Sequence, residues 1–291
     1  MLTAGVARPR KGVYACEHLD AAERTAVIVG ARLDCITVLR RHKIWVGHEK
    51  GLHLRMPREA GGHAWQRFRA IAASYSSRRF AVLGSRTISA HSLRCAPAGP
   101  GGRLEVAVMD ALRQAMNCLP PDDLVAALES ALHLKKITAS DLDQLIIEAP
   151  ERLQTALAHV TPGAQSGYET KARLKLQRAG HHVEIQVAVP GVGHVDTVVD
   201  GVVALEIDGR ETHAEAFEMD RDRDLGTELW GLRGLRIPAV WVDTRWDDVE
   251  AALERMIADA LRGRARSVSR MSRRRRRIRA EIFDDTPQPE R

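Results

Sequence analysis

Three carboxylates in the last third of the chain have the residue types and spacing that could do chemistry. Glu206 and Asp208 lie two residues apart in Val202-Val-Ala-Leu-Glu-Ile-Asp208, a short apolar run that reads as a β-strand. Alternate strand residues share a face, so both acids point the same way, opposite to Leu205 and Ile207. Two carboxylates side by side repel each other unless a cation or a shared proton relieves them. Asp196, in the preceding run Val195-Asp-Thr-Val-Val199, can join them in one register only. A two-residue Asp200-Gly201 turn sets Asp196 against Leu205, on the wrong face, whereas a three-residue or bulged loop sets it against Glu206. The odd-numbered loop is expected, because the site requires it. Asp196, Glu206 and Asp208 would then form a hard, oxygen-rich set suited to Mg²⁺ or Mn²⁺ rather than zinc. Such a cation can activate water and offset the charge that builds on a phosphodiester during its cleavage.

Several other residues could complete this set. Glu169 is a candidate fourth carboxylate, although Ser166-Gly-Tyr-Glu169 is also a capping box in which Glu169 bonds back to the start of its own helix. The two roles are compatible. Gln186 could orient a water or ligand, and His213, shortly after Asp208, could serve as base, acid or phosphate contact. The bland alternative for the acids is pairing with arginine, for which Arg221, Arg223 and Arg236 are available. Arg223 and Arg236 are expected to buttress the acids. Asp220-Arg-Asp-Arg-Asp224 alternates in sign, as a solvated helix face does, with Asp220 and Arg223 at pairing distance along a helix.

The elements that must position these residues follow from the hydrophobic pattern. A helix is expected from Ser166 to Ala179, stopped by Gly180, and a strand over 183–189, where Val183, Ile185, Val187 and Val189 alternate. Strands follow over 195–199 and 202–208, then a charged helix over about 215–230, a strand over 235–242 and a helix from Trp246 to Leu261. That last helix turns Val249, Leu253, Met256 and Ala260 inward. Upstream, Leu52–Met56 alternates as a half-buried strand closed by Pro57, and residues 78–95 look β-like. Residues 24–35 fit a helix or a buried strand. Residues 104–160 repeat apolar positions at helical spacing, with Asp122 and Asp123 as caps for one helix and Thr138 starting another.

The ordered string Glu169, Gln186, Val195-Asp196, Leu205-Glu-Ile-Asp-Gly209, His213, Asp220-Arg-Asp-Arg-Asp-Leu225 and Gly234-Leu-Arg236 resembles the very-short-patch-repair-like (Vsr-like) endonuclease domain of the PD-(D/E)XK superfamily. The resemblance covers about residues 164–245. It implies an α/β C-terminal domain with a restriction-endonuclease-like fold, in the order α-β-β-β-α-β-α, and cleavage of DNA with Mg²⁺ or Mn²⁺ held by Asp196, Glu206 and Asp208. Glu169 and His213 complete the implied catalytic group. The superfamily's E-x-K lysine is replaced by Asp208, so Lys171, Lys175 or His213 would supply the positive charge. More faintly, Arg8-Pro-Arg-Lys-Gly-Val-Tyr-Ala15 is similar to the basic hairpin that ends the winged helix of AbiEi-type antitoxin-like regions. The expected organisation is a mixed, β-rich region over 1–103, a helical connector over 104–160, the endonuclease-like domain over 161–262 and a basic tail over 263–291.

Charge separates the same parts. The 291 residues carry a formal charge of +6, but ten arginines and no acid fall between Arg262 and Arg279, leaving −4 on the remainder. The tail has no apolar periodicity and is expected to be disordered when free. Arg270, Arg273, Arg274, Arg275, Arg276, Arg277 and Arg279 would bind phosphate without sequence preference and with steep salt dependence. No apolar run approaches the roughly 20 residues of a membrane span. The start of the chain lacks the apolar core of a secretion signal, so a cytoplasmic protein is expected. Cys16, Cys35, Cys95 and Cys118 are scattered without zinc-ligand spacing, which reads as reduced, buried thiols. The function expected is a metal-dependent endonuclease acting on DNA, with RNA not excluded. A non-catalytic, DNA-binding regulator or antitoxin-like protein that keeps the nuclease scaffold is the alternative.

Overall fold

The computed structural model describes residues 6–10, 13–16, 18–48, 51–57, 60–75, 88–91, 104–189, 193–208 and 228–263. The chain divides into two compact units, residues 1–174 and 175–291.

The first unit opens with strands β1 (Val6–Arg10) and β2 (Val13–Cys16), paired antiparallel as the basic hairpin motif suggests. The ambiguous segment after it resolves into three pieces. Helix α1 (Ala21–Val29) is started by a capping box between Asp20 and Glu23 and stopped by Gly30 at φ 83°. A two-residue strand β3 (Arg32–Leu33) follows, then helix α2 (Cys35–Arg41). β3 runs antiparallel to β4 (Leu52–Arg55), which runs parallel to β5 (Ile88–His91). Of the β-like region 78–95, β5 is the part among the described residues. β4 is buried on both faces rather than half-buried, so His53 lies inside along with Leu52 and Leu54. Alternation alone could not reveal that a second layer covers the polar side.

Helix α3 (Gly62–Tyr75) precedes the helical stretch expected over 104–160, which forms as α4 (Val108–Ala115), α5 (Pro121–His133), α6 (Ala139–Glu148) and α7 (Glu151–Leu157). Pro121 takes the first position of α5, where its missing N–H costs nothing, and Asp122 and Asp123 sit in the first turn rather than at the cap. Thr138 and Asp141 make a capping box at α6. These helices are not a separate layer: Leu33, Ile36, Leu39 and Leu54 share one buried core with Leu112, Leu124, Leu128, Leu145 and Leu153. An ion-pair chain runs along this core. Arg55 grips Asp34 with two bonds of 2.9 Å, its Nη1 lies 3.6 Å from Asp110, and Arg113 links Asp110 to Glu148.

Helix α8 (Gly167–Arg178) was expected whole in the last domain, but the division falls inside it, after Leu174. Its first turns are rooted in the first unit by charge pairing. Arg173 Nη2 donates to Glu129 of α5 at 2.6 Å, and both side chains are almost fully buried. Thr170 Oγ1 and the backbone N–H of Thr161 donate to the same carboxylate, and Arg173 Nη1 donates to the carbonyl of His159.

The second unit is built on a four-stranded sheet in the order β6 (Val183–Val189), β7 (Gly193–Val199), β8 (Val203–Asp208), β9 (Arg233–Pro238). β6–β7 and β7–β8 are antiparallel and β8–β9 parallel, so this is a mixed α/β unit. The expected strand over 235–242 starts earlier and ends at Pro238, and a single helical turn (Trp241–Thr244) follows. Proline has no N–H to carry the ladder further. Residues 246–263 are helical and bury Val249, Leu253 and Ile257, a four-residue spacing that replaces the expected Met256 and Ala260. The expected charged helix over 215–230 lies largely outside the described residues. Among them, no helix is long and apolar enough to cross a membrane.

Candidate functional site

The register of the second unit's sheet decides what its acids can do. Val199 pairs with Val203 and Thr197 with Leu205, so the connection is the three residues Asp200, Gly201 and Val202. Asp200 and Gly201 adopt left-handed backbone at φ 51° and 64°, which these residue types tolerate better than most. This is the odd-numbered loop expected, and it sets Asp196 level with Glu206. Across the other seam Ile185 pairs with Thr197 and Val187 with Val195, which sets Gln186 level with Asp196. On the far side Glu206 pairs with Arg236. Asp196, Glu206 and Arg236 therefore lie level across β7, β8 and β9, Asp208 stands one step beyond Glu206 on the same face, and Gln186 is at the matching position of β6, where its backbone is left-handed at φ 49° and interrupts the ladder.

Within the row the carboxylates are held by protein donors. Arg236 donates through Nη2 and Nε to Glu206 Oε2 at 2.7 and 3.1 Å, and its Nε lies 3.6 Å from Asp208 Oδ2. The guanidinium relieves the repulsion between the two acids, as expected of Arg236. Asp196 Oδ2 accepts from the backbone N–H of Ile207 at 3.3 Å. The three carboxylates do not converge: no oxygen set from Asp196, Glu206 and Asp208 comes together within 4.8 Å. The apolar parts of β7 and β8 are buried on both faces, at Val195, Val199, Val203 and Leu205 on one side and Val198 and Ala204 on the other. The acids, only partly buried, thus end a dry sheet beside solvent.

The other expected residues separate. Glu169 is buried and caps α8: its Oε2 accepts from the N–H of Gln165 at 3.0 Å, and its own N–H donates to Ser166 Oγ. The capping reading is thereby realised, displaced by one residue from Ser166. Lys171 lies in the first unit, where Nζ is 3.0 Å from Asp123 Oδ1 and 5.6 Å above the Trp45 ring. Lys175 stands over Trp246 in the second unit. His213, Arg223 and the tail arginines Arg270, Arg273–Arg277 and Arg279 lie outside the described residues. His181 was not singled out from sequence, yet its Nδ1 is 2.8 Å from Asp200 Oδ2 and its Nε2 3.3 Å from Glu254, which ties the β7–β8 loop to the last helix.

The first unit contains a cluster that sequence spacing had argued against. Cys35, His53 and Cys118 come together with one ligand atom from each within 4.8 Å of the others, the one such group of three among the described residues. Cys35 opens α2, His53 lies in β4 and Cys118 follows α4, so no short motif announces them. A hydrogen bond to Cys118 and burial push the Cys35 thiol up from its usual range. Compared with family models, curated proteins and solved structures, the chain finds no match in any of the three.

Proposed function

We propose that the chain is a metal-dependent endonuclease-like protein whose second unit has a restriction-endonuclease-like fold and hydrolyses DNA phosphodiester bonds. The observation that carries this reading is the register that sets Asp196, Glu206 and Arg236 level, with Asp208 beside them and Gln186 at the matching position of β6. The sheet order, with three antiparallel strands and a fourth parallel to the third, supports it. Asp196, Glu206 and Asp208 have the donor chemistry of Mg²⁺ or Mn²⁺, and such a cation, when bound, supplies an activated water and charge neutralisation. To take it, the three carboxylates have to rotate toward one another, since their oxygens do not come together within 4.8 Å. In this reading Arg236 orients Glu206 and lowers the local negative charge that repels DNA. The arginine-rich tail contributes nonspecific affinity for phosphate.

The test is plasmid nicking in Mg²⁺ or Mn²⁺ with wild type, Asp196→Ala and Glu206→Ala. Loss of cleavage in both variants is expected, and equal activity in all three overturns the assignment. Deleting residues 262–291 should flatten the salt dependence of DNA binding. One observation favours a second reading, a DNA-binding regulator that keeps the scaffold without chemistry: Arg236 already pairs with Glu206 at 2.7 Å and lies 3.6 Å from Asp208, supplying one positive charge where a cation would sit. Calorimetry with Mn²⁺ separates the two, since the second reading requires no binding at this site.

A further inference from the structure

We propose that Cys35, His53 and Cys118 form a zinc site in the first unit, independent of the chemistry proposed for the second. In tetrahedral zinc the bond lengths are about 2.3 Å to sulfur and 2.0–2.1 Å to nitrogen, which puts ligand atoms roughly 3.5–3.8 Å apart. Ligand atoms already within 4.8 Å of one another need only small side-chain rotations to reach that geometry. Two thiolates and an imidazole are the soft and borderline donors that zinc prefers over Mg²⁺.

The backbones bearing the ligands are fixed from outside the cluster. The N–H of Cys35 donates to Asp34 Oδ1 at 2.7 Å, and the fully buried Asp34 is clamped by Arg55. His53 donates its N–H to Thr37 Oγ1 at 2.7 Å and accepts from the N–H of Asp34 at 2.9 Å. Cys35 itself adopts φ 48°, a left-handed conformation that costs a non-glycine residue free energy and that tends to persist where function requires a side chain to be aimed. Cys35 and His53 are buried while Cys118 is partly exposed, so an ion enters from the Cys118 side and completes its coordination there with water. With that open position zinc would pin the start of α2, β4 and the residues after α4 together.

The experiment is Co²⁺ titration of the reduced, metal-free, full-length chain, followed by thiolate-to-cobalt charge-transfer absorption and displacement by Zn²⁺. One equivalent is expected, with a raised thermal midpoint in Zn²⁺. Cys118→Ser and His53→Gln should each weaken Zn²⁺ binding roughly tenfold or more, since even loss of a ligand's outer partner costs that much. In unmodified protein Zn²⁺ should also slow alkylation of Cys118, a readout that needs no variant to fold. Absence of charge-transfer absorption in folded, reduced protein overturns the site. So does absorption that survives both substitutions, or an alkylation rate of Cys118 that Zn²⁺ leaves unchanged.

Discussion

Arg173→Met tests the ion pair that roots α8 in the first unit. The substitution keeps an unbranched apolar side chain in the space but removes the bond to Glu129 at 2.6 Å and that to the His159 carbonyl at 3.1 Å. Glu129 keeps the Thr161 N–H and the Thr170 hydroxyl, yet its charge is left buried without a counter-ion. Removing one partner of a buried pair typically costs about 3–5 kcal/mol. The variant has an escape, because Glu129 can take up a proton. From the ordinary glutamate value of 4.5, protonation at pH 7 costs about 3.4 kcal/mol at 1.36 kcal/mol per pH unit, and that bounds the charge part of the loss. Burial already pushes the Glu129 carboxyl up in the wild type, against the pull of Arg173, and without Arg173 it rises further. A folded value above the unfolded one means stability that is present at low pH and lost as pH rises through the folded value. The deficit of Arg173→Met should therefore be about 3 kcal/mol at pH 7 and shrink toward pH 5. At roughly 2–4 °C per kcal/mol for a unit of this size, the thermal midpoint falls by about 6–12 °C at pH 7. Urea titrations followed by far-ultraviolet circular dichroism at pH 5, 6 and 7 measure this. Adding Glu129→Gln should restore most of the loss, because an amide oxygen still accepts from Thr161. A deficit below about 1 kcal/mol at pH 7, or one that does not change with pH, would refute the reasoning.

Three further outcomes follow from other contacts. A Cβ at Gly167 would lie 2.1 Å from Trp45 Cδ2, so Gly167→Ala should destabilise by about 1–3 kcal/mol and alter Trp45 fluorescence; an unchanged urea midpoint contradicts the packing at the start of α8. Bonds from Thr138 hold Asp141, and the Arg113 guanidinium holds Glu148, below their ordinary values of 3.8 and 4.5. Folded values lowered in this way contribute stability that is lost as pH falls below those values, so Asp141→Asn should flatten the acid limb of the stability curve, measured as the urea midpoint between pH 5 and 3. Arg236→Met removes the guanidinium bonded to Glu206 Oε2, and under the endonuclease reading it should raise Mn²⁺ affinity in calorimetry while lowering DNA cleavage; unaltered affinity argues that Arg236 does not compete with the cation.

Much of the second unit was legible in the sequence. The Val183–Val189 alternation, the Asp200-Gly201 break and the apolar run ending in Glu206 and Asp208 announced three strands, because a half-buried strand such as β6 writes its period of two into the chain, and one buried on both faces such as β8 reads as a continuous apolar run. Even the loop length followed, since a one-residue slip would have turned Asp196 to the other face. The end of β9 was missed because apolar residues continue to Val242 past Pro238, and the lack of one N–H outweighed their β-propensity. The capping alternative for Glu169 was legible as well, although the bond reaches Gln165 rather than Ser166.

By itself, then, the sequence determined most elements of the second unit, the Thr138 cap of α6 and the face that Glu206 and Asp208 share, because these depend on neighbours within a few residues. Only the tertiary structure decided which partners those faces meet. Arg236 reaches Glu206 through a parallel pairing that no local spacing encodes. β4 is buried at His53 as well as at Leu52 and Leu54, and there His53 meets Cys35 and Cys118. The burial of Arg173 against Glu129 was likewise decided there, because the two are distant along the chain and meet where a buried charge has to find its opposite.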